Sequence, residues 1–489
     1  MGRLCLRLRD KRWNWLYQGF NQLVVASLLL FMALALSQVA VFAGPFAPPG
    51  RVNNDVSVSY QTAFKLVPPI LSLVVHWFGG MCFSFIGPKI MIATGMFVRA
   101  LAYIIDGATA QGSQSSVAFL VSIMIYFANA WILTSATAIA MGYAPASSKG
   151  RYISVTNMAR AAPDIVFYVV DLAMHESSTT LDRGYVYANS LYWSITVCFL
   201  VFFVASLVCV VNPNNVTRDD GYEVQMPAYL GMRAELKKTA KLFFQKLILF
   251  LFPILFWMSY ETKIFLATTW LYLDYKAVWF LSVWWSITQI IGGCFAGFVV
   301  DCNLLESLTK KGWVAYGGVW IIGVLSFAFS FQGAYTLQVY NNEHGPHDLG
   351  NFQSSVFAWS AVSLSFQGFL TGYAYVITFW MLSAVAGSDS TLCAYYAGYA
   401  NSLFGVGLLI SGTVLAEGLR TSIFISALIF SIGIISLGIA VYDLRNVKLF
   451  QWQKNDHSSS TFQGLDPGCK DPLPESLEQV DFRALDMYS

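Results

Sequence analysis

Charge is what this sequence has least of. Only 11% of its 489 residues are Asp, Glu, Lys or Arg, against about a quarter in a typical soluble domain, so a water-soluble surface cannot be built from it. Cysteine is sparse as well. The eight present (Cys5, Cys82, Cys198, Cys209, Cys294, Cys302, Cys393 and Cys469) fall in apolar runs or in segments assigned below to the cytosol, where thiols stay reduced, so no disulfide framework is expected. A net charge of +2 provides no field of one sign, which argues against nucleic acid as a partner. No P-loop, dinucleotide-binding glycine pattern or nucleophile–base pairing rises above chance, so neither an enzyme, an ATP-driven module nor a cofactor is expected. His344 and His347, with Glu343 and Asp348, lack the tight spacing of a metal site and read as a solvated loop.

What the chain has is apolar length. Hydrophobic residues make up 56% of it, in blocks of about twenty or more, the length that crosses a hydrocarbon core as helix. Breaks at polar, Gly/Pro and charged clusters place spans at 17–44, 60–86, 90–110, 116–143, 152–175 and 188–211, then at 246–272, 276–300, 313–331, 355–386, 393–416 and 420–442. The expected fold class is an all-α membrane protein of twelve transmembrane helices in two pseudo-symmetric six-helix bundles, 17–211 and 246–442. They are flanked by a short N-terminus (1–16), a polar connector (212–245) and a polar tail (443–489) that reads as disordered. The first apolar run is of span length, so it reads as a retained span and not as a cleaved signal peptide.

Lys and Arg translocate poorly and mark the cytosolic side. Most of the 29 lie before the first span, in the connector (including Arg233, Lys237, Lys238, Lys241 and Lys246), in the tail, or at Lys89, Lys149, Arg151, Lys310 and Lys311. The opposite loops carry only Arg51, Arg183, Lys276 and Arg420. Both termini are therefore expected in the cytosol of a multi-pass protein, and the Asn215-Val216-Thr217 sequon is expected to go unglycosylated. Six spans, a long connector and six more is the layout of two repeats hinging about a midplane site. The many Trp and Tyr near span ends, among them Trp13, Trp15, Trp270, Trp279 and Trp313, read as an interfacial belt.

Several stretches resemble the UNC-ninety-three-like (uncoordinated ion-channel regulator-like) branch of the major facilitator superfamily. These are Ile86-Gly87-Pro88-Lys89, Trp131, Ala140 to Tyr143 and Lys149-Gly150-Arg151-Tyr152 in the first half. In the second half they are Trp270-Leu271-Tyr272, Trp285, Gln289-Ile290-Ile291-Gly292, Gly297 to Asp301, Trp380-Met381-Leu382 and Tyr396-Ala397-Gly398. The superfamily signature after span two is a Gly, an Asp four residues later and then Gly-Arg-Arg. Here the segment reads Gly80, Ser84, Gly87, Lys89, without the acid, whereas the repeat-equivalent site keeps Gly297 and Asp301. The resemblance implies a gate on the cytosolic side at Gly80, Gly87, Lys89, Lys149, Gly150, Arg151, Gly297 and Asp301. It also implies either of two functions: alternating-access transport of a small solute, or a non-transporting regulator or trafficking partner of another membrane protein, such as an ion channel or receptor.

Ionisable residues inside a bilayer are costly and point to a partner or a pathway. Arg160, Asp164, Tyr168, Asp171 and His175 fall within an arc of about 80° on span five, a polar face about 22 Å long. Arg160 and Asp164, four apart, are expected to pair, and Pro163 to kink the helix. Glu261 and Lys263 sit on span seven, and Glu261 is a candidate protonatable group or a structural partner for Arg99 or Arg160. Gln289 and Gln367 serve equally well as substrate contacts or inter-helix hydrogen bonds. The pathway is thus expected at Arg160, Asp164, Tyr168, Asp171, Glu261, Lys263, Gln289 and Gln367. Gly398, Gly405 and Gly412 recur every seven residues in span eleven and read as a packing surface.

Overall fold

The computed structural model describes residues 14–43, 58–109, 115–177, 184–344, 355–414 and 419–445, apart from scattered single positions and some side chains within these ranges. The helices are α1 (Gly19–Ala43), α2 (Val58–Thr109), α3 (Ser115–Gly142), α4 (Lys149–Ser177) and α5 (Gly184–Cys209). A shorter α6 (Met232–Leu242) precedes α7 (Lys246–Tyr272), α8 (Tyr275–Asp301), α9 (Leu308–His344), α10 (Ser355–Ala386), α11 (Ser390–Val414) and α12 (Leu419–Asp443). Among the described residues, seven helices are long and apolar enough to cross a membrane by themselves. Helix α4 is not among them, because charged residues interrupt its apolar run.

The two spans expected at 60–86 and 90–110 are arms of the single helix α2, which bends at Gly87 (φ 76, ψ 163). Only glycine adopts that conformation without strain, and Pro88, which has no backbone N–H to leave unpaired, opens the second arm. Counting both arms and setting α6 aside gives the twelve expected spans, and their alternation brings the α2 bend, the connector and the α3–α4, α8–α9 and α10–α11 turns to one end. We call this end the connector side.

Helices α1 to α5 pack on one another, as do α7 to α12, and the halves meet along α4–α8 and α2–α11, with further contacts of α11 to α3 and α10 to α4. One apolar core fills the first half around Leu23, Ile132 and Phe199. A larger one, around Trp257, Phe379 and Tyr395, reaches across the seam to Phe83 and Ala138.

The connector, expected as a polar link between the bundles, is built structure. Residues 216–224 fold back on themselves, Val224 N–H donating to Val216 O at 3.0 Å, and dock on the start of α1 through Gly19 N–H to Thr217 O at 2.8 Å. Asp219 accepts from Tyr152 Oη at 2.6 Å, fastening this hairpin to α4. Helix α6 turns Glu235, Thr239 and Leu242 inward, and Glu235 accepts a hydrogen bond from Tyr395 of α11. Among the described residues Cys82, Cys198, Cys209, Cys294, Cys302 and Cys393 are free thiols. Trp279 departs from the expected belt: it is buried on α8, whereas Trp313 is exposed as an interfacial residue should be. Of the expected solvated loop, Glu343 and His344 instead close helix α9, while Trp13, the side chain of Trp270, His347, Asp348 and the tail lie outside the described residues.

Candidate functional site: a seam clasp and a buried polar stripe

Helix α4 carries both parts of the site. At its start, the N–H groups of Gly150 and Arg151 have no partner within the helix, and an N-terminus with free donors attracts a carboxylate. Asp301, the last residue of α8 in the other half, fills that position, accepting from Gly150 N at 2.9 Å and Arg151 N at 2.7 Å. The Arg151 side chain lies 3.9 Å from the same carboxylate but is 74% exposed, so water screens that pair and the backbone contacts carry the interaction.

Lys149 makes the reciprocal contact. Its ammonium is buried and donates to the carbonyls of Ser383 and, at 2.7 Å, Gly387 at the end of α10, where a cation suits the helix dipole. Ser383 Oγ donates to Met141 O at 2.9 Å, so the α3–α4 and α10–α11 turns are joined twice. At the equivalent position of the other repeat the N-terminus of α11 is capped within its own half, by Asp389 on Leu392 N–H at 2.9 Å. That fits a first motif copy without an acid: Gly87 supplies the α2 bend and, among the described residues, Lys89 enters no ion pair.

Small residues let the seam close. A Cβ on Gly150 would lie 2.4 Å from Val300, one on Gly293 2.3 Å from Asn157 Nδ2, and one on Gly297 2.2 Å from Ser154 Oγ and 2.8 Å from Gly150 O. Ser154 Oγ donates to Gly293 O at 2.8 Å and Asn157 Nδ2 to Gln289 O at 3.3 Å. The second line of contact, α2–α11, is equally close: a Cβ on Gly80 would sit 2.5 Å from Tyr395 Cα, and one on Gly398 2.4 Å from His76 O. Of the expected glycine stripe, Gly398 packs this way while Gly405 touches only Leu73 at 4.0 Å.

Eleven residues beyond Lys149, about 16 Å along the helix, Arg160 enters the interior. Its guanidinium lies 4.5 Å from the ring of Tyr375 on α10 and 4.6 Å from that of Phe404 on α11, both in the other half. Its Nε is buried without a hydrogen-bond partner. Asp164 instead accepts from Gln38 Nε2 of α1. Arg160 and Asp164 therefore do not form the expected ion pair; the ion pairs among the described residues are Arg151–Asp301 and Arg218–Asp220. The aromatic faces draw the guanidinium across the seam while the Gln38 amide holds the carboxylate on the near side. Further along, Tyr168 meets Trp279 edge-on at 5.6 Å, so α4 and α8 stay in contact well beyond the clasp.

The remaining pathway candidates are placed differently. Glu261 is buried and accepts from Ser426 Oγ, which accepts from Trp257 Nε1 at 3.1 Å. Its partner is thus on α12 of its own half, and neither Arg99 nor Arg160. Arg99 is fully buried against α1, donating to Ala33 O and Ser37 Oγ. Gln367 Nε2 donates to Ser330 Oγ at 2.6 Å, a bond between α10 and α9, and Gln289 meets the other half through its backbone carbonyl. The side chains of Asp171, His175 and Lys263 lie outside those described. Sequence reasoning missed Ser154, Asn157, Gly293 and Gln38. Asn157 extends the α4 stripe at three residues before Arg160, and Gly293 repeats the spacing of four from Gly297; both signals were present.

No protein-family model matches the chain, and no characterised protein matches it by sequence. The solved structures do. A major facilitator superfamily transporter, FucP, in the outward conformation aligns with a TM-score of 0.58 at 12% identity, covering 85% of this chain and 97% of its own. A single-site variant of the Escherichia coli fucose:proton symporter FucP aligns at 0.57 and 12%, covering 86% and 98%. At this identity the likeness concerns the backbone, and it extends over nearly the whole of both chains: twelve spans, two halves, and a seam along α4–α8 and α2–α11 make this the major facilitator fold.

Proposed function

We propose that the chain is a secondary carrier that moves a small solute by alternating access, with the connector side in the cytosol and the two bundles rocking about the seam. The observation that carries this reading is the construction of α4. One helix presents a buried cation to the facing half near mid-membrane and, about three turns away, its N-terminus to Asp301. A solute that draws Arg160 away from Tyr375 and Phe404 acts on the same rigid element that the clasp holds, which couples occupancy to the gate.

The test begins with untargeted solute profiling of cells lacking the protein against cells overproducing it. The solute that differs is then followed in proteoliposomes. The combined variant Arg160→Ala, Asp164→Asn, Glu261→Gln abolishes exchange on this reading; exchange at the wild-type rate removes these residues from the mechanism.

A second reading, an accessory protein escorting another membrane protein, draws on the first gate motif, which lacks its acid and whose Lys89, among the described residues, enters no ion pair. It requires a stoichiometric membrane partner in mild-detergent purification. A homogeneous protein that exchanges solute by itself in liposomes excludes it.

A further inference from the structure

The groups left unsatisfied on α4 describe a ligand. We infer that the buried site at Arg160 takes a small organic acid: a carboxylate carrying a nearby hydroxyl or ammonium donor. This rests on the carrier reading and names its substrate class.

The charge is set by Arg160. Its central carbon lies 4.5 Å from the ring of Tyr375 and 4.6 Å from that of Phe404, and a guanidinium carries its N–H groups in its own plane, so its hydrogen bonds to a ligand are made at the edge. An edge-on guanidinium matches a carboxylate with two parallel hydrogen bonds. The nearest acid on the helix, Asp164, is turned to Gln38 and makes no ion pair with it, and Nε is buried without an acceptor. A buried donor without a partner is costly, and a ligand oxygen offsets that cost on binding.

The second requirement comes from the acceptors. Asn157 is 0% exposed and commits its amide N–H to Gln289 O, leaving Oδ1 buried with no partner. Gln38 commits its amide N–H to Asp164, leaving its Oε1 in the same position. Asn157, Arg160 and Asp164 share one face of α4, within an arc of about 60°. An unpartnered guanidinium N–H together with two unpartnered amide oxygens suits a molecule with a carboxylate and a hydroxyl or ammonium, and suits an inorganic cation poorly.

The experiment uses the purified full-length protein and thermal-shift titration with lactate and alanine, with lactamide and alaninamide as counterparts lacking the carboxylate. At least one acid raises the melting temperature, its amide does not, and the preference between lactate and alanine identifies the donor as hydroxyl or ammonium. Arg160→Gln weakens the titration about 10- to 100-fold, the loss expected for a charge-assisted hydrogen bond. Phe404→Leu, which keeps the charge, guards against a misfolded arginine variant by weakening the same titration less. Equal shifts by acid and amide, no shift by either acid, or a wild-type titration in Arg160→Gln overturns the assignment. Proteoliposomes separate it from the carrier reading. Arg160-dependent binding without exchange leaves the acid site standing and sinks transport; exchange of a neutral solute that neither acid inhibits leaves transport standing and sinks the acid site.

Discussion

Asp301 closes the N-terminus of α4 from the opposite half of the molecule, its two carboxylate oxygens accepting the N–H groups of Gly150 and Arg151 at 2.9 and 2.7 Å. The contact joins bundles 150 residues apart in sequence, and on the proposed alternating-access reading it holds only while the connector side is shut. Removing it by Asp301→Ala costs the closed state about 1–2 kcal/mol, the range for a lost helix cap, and so raises the population open on that side about tenfold. A cysteine placed at Ser154 reports this: its modification by a membrane-impermeant maleimide added on the connector side quickens in Asp301→Ala. An unchanged rate shows that the cap does not hold the seam.

The glycines of the seam give a steric test with an internal control. Alanine at Gly297 brings a methyl group against the Gly150 carbonyl at 2.8 Å, and backbone cannot step aside as a side-chain tip can. Gly297→Ala therefore destabilises the protein by about 1–3 kcal/mol, as overpacking does, or separates α4 from α8. A Cβ on Gly317 of α9 meets nothing within 4 Å, so Gly317→Ala is neutral or stabilising by up to about 1 kcal/mol. Melting temperatures in detergent distinguish the two, and equal values contradict the close approach.

How much of this was legible in the sequence follows from what each feature depends on. The spans could be read because hydrocarbon thickness fixes helix length, and Gly297 and Asp301 because a local spacing carries them. The α4 stripe could be read because helical period is local. The partners of its members could not. Tyr375 and Phe404 lie more than two hundred residues beyond Arg160, and nothing in an i, i+4 spacing says that the cation will turn to two rings and away from the neighbouring acid. Glu261 shows the same limit: its partner, Ser426, is an ordinary serine on α12 that only the packing of α7 against α12 brings near. Trp279 sits at a span end by position, but the seam covers it. The connector read as a polar link, yet its inward residues Glu235, Thr239 and Leu242 form a narrow face that the surrounding lysines obscured.

Lys149 is the second arm of the clasp. Lys149→Met removes the donor from the carbonyls of Ser383 and Gly387 while keeping an apolar stem, so it loosens the seam in the same direction as Asp301→Ala. Because both act on one rigid closure, their effects on maleimide labelling combine non-additively, with a coupling of about 0.5–3 kcal/mol in a double-mutant cycle. Strict additivity indicates two independent contacts.

The connector helix is fastened at Tyr395, whose hydroxyl donates to Glu235 and whose ring faces Lys238 Nζ at 4.9 Å. Tyr395→Phe keeps the ring and loses the hydrogen bond, leaving the buried Glu235 carboxylate without that donor. Limited trypsin digestion then cuts α6 at Lys237 or Lys241 several-fold faster than in wild type. An identical digestion rate shows that α6 is held by its apolar contacts alone.

Transport by alternating access requires the α4–α8 seam to open and close in each cycle, and a reversible cross-link tests that most directly. Cysteines at Arg151 and Asp301, whose side chains approach to 3.9 Å across the seam, are introduced with the native cysteines replaced. Solute exchange is then measured in proteoliposomes before oxidation, after it, and after reduction. Exchange that stops on disulfide formation and returns with reductant is the predicted result; undiminished exchange in fully cross-linked protein contradicts it.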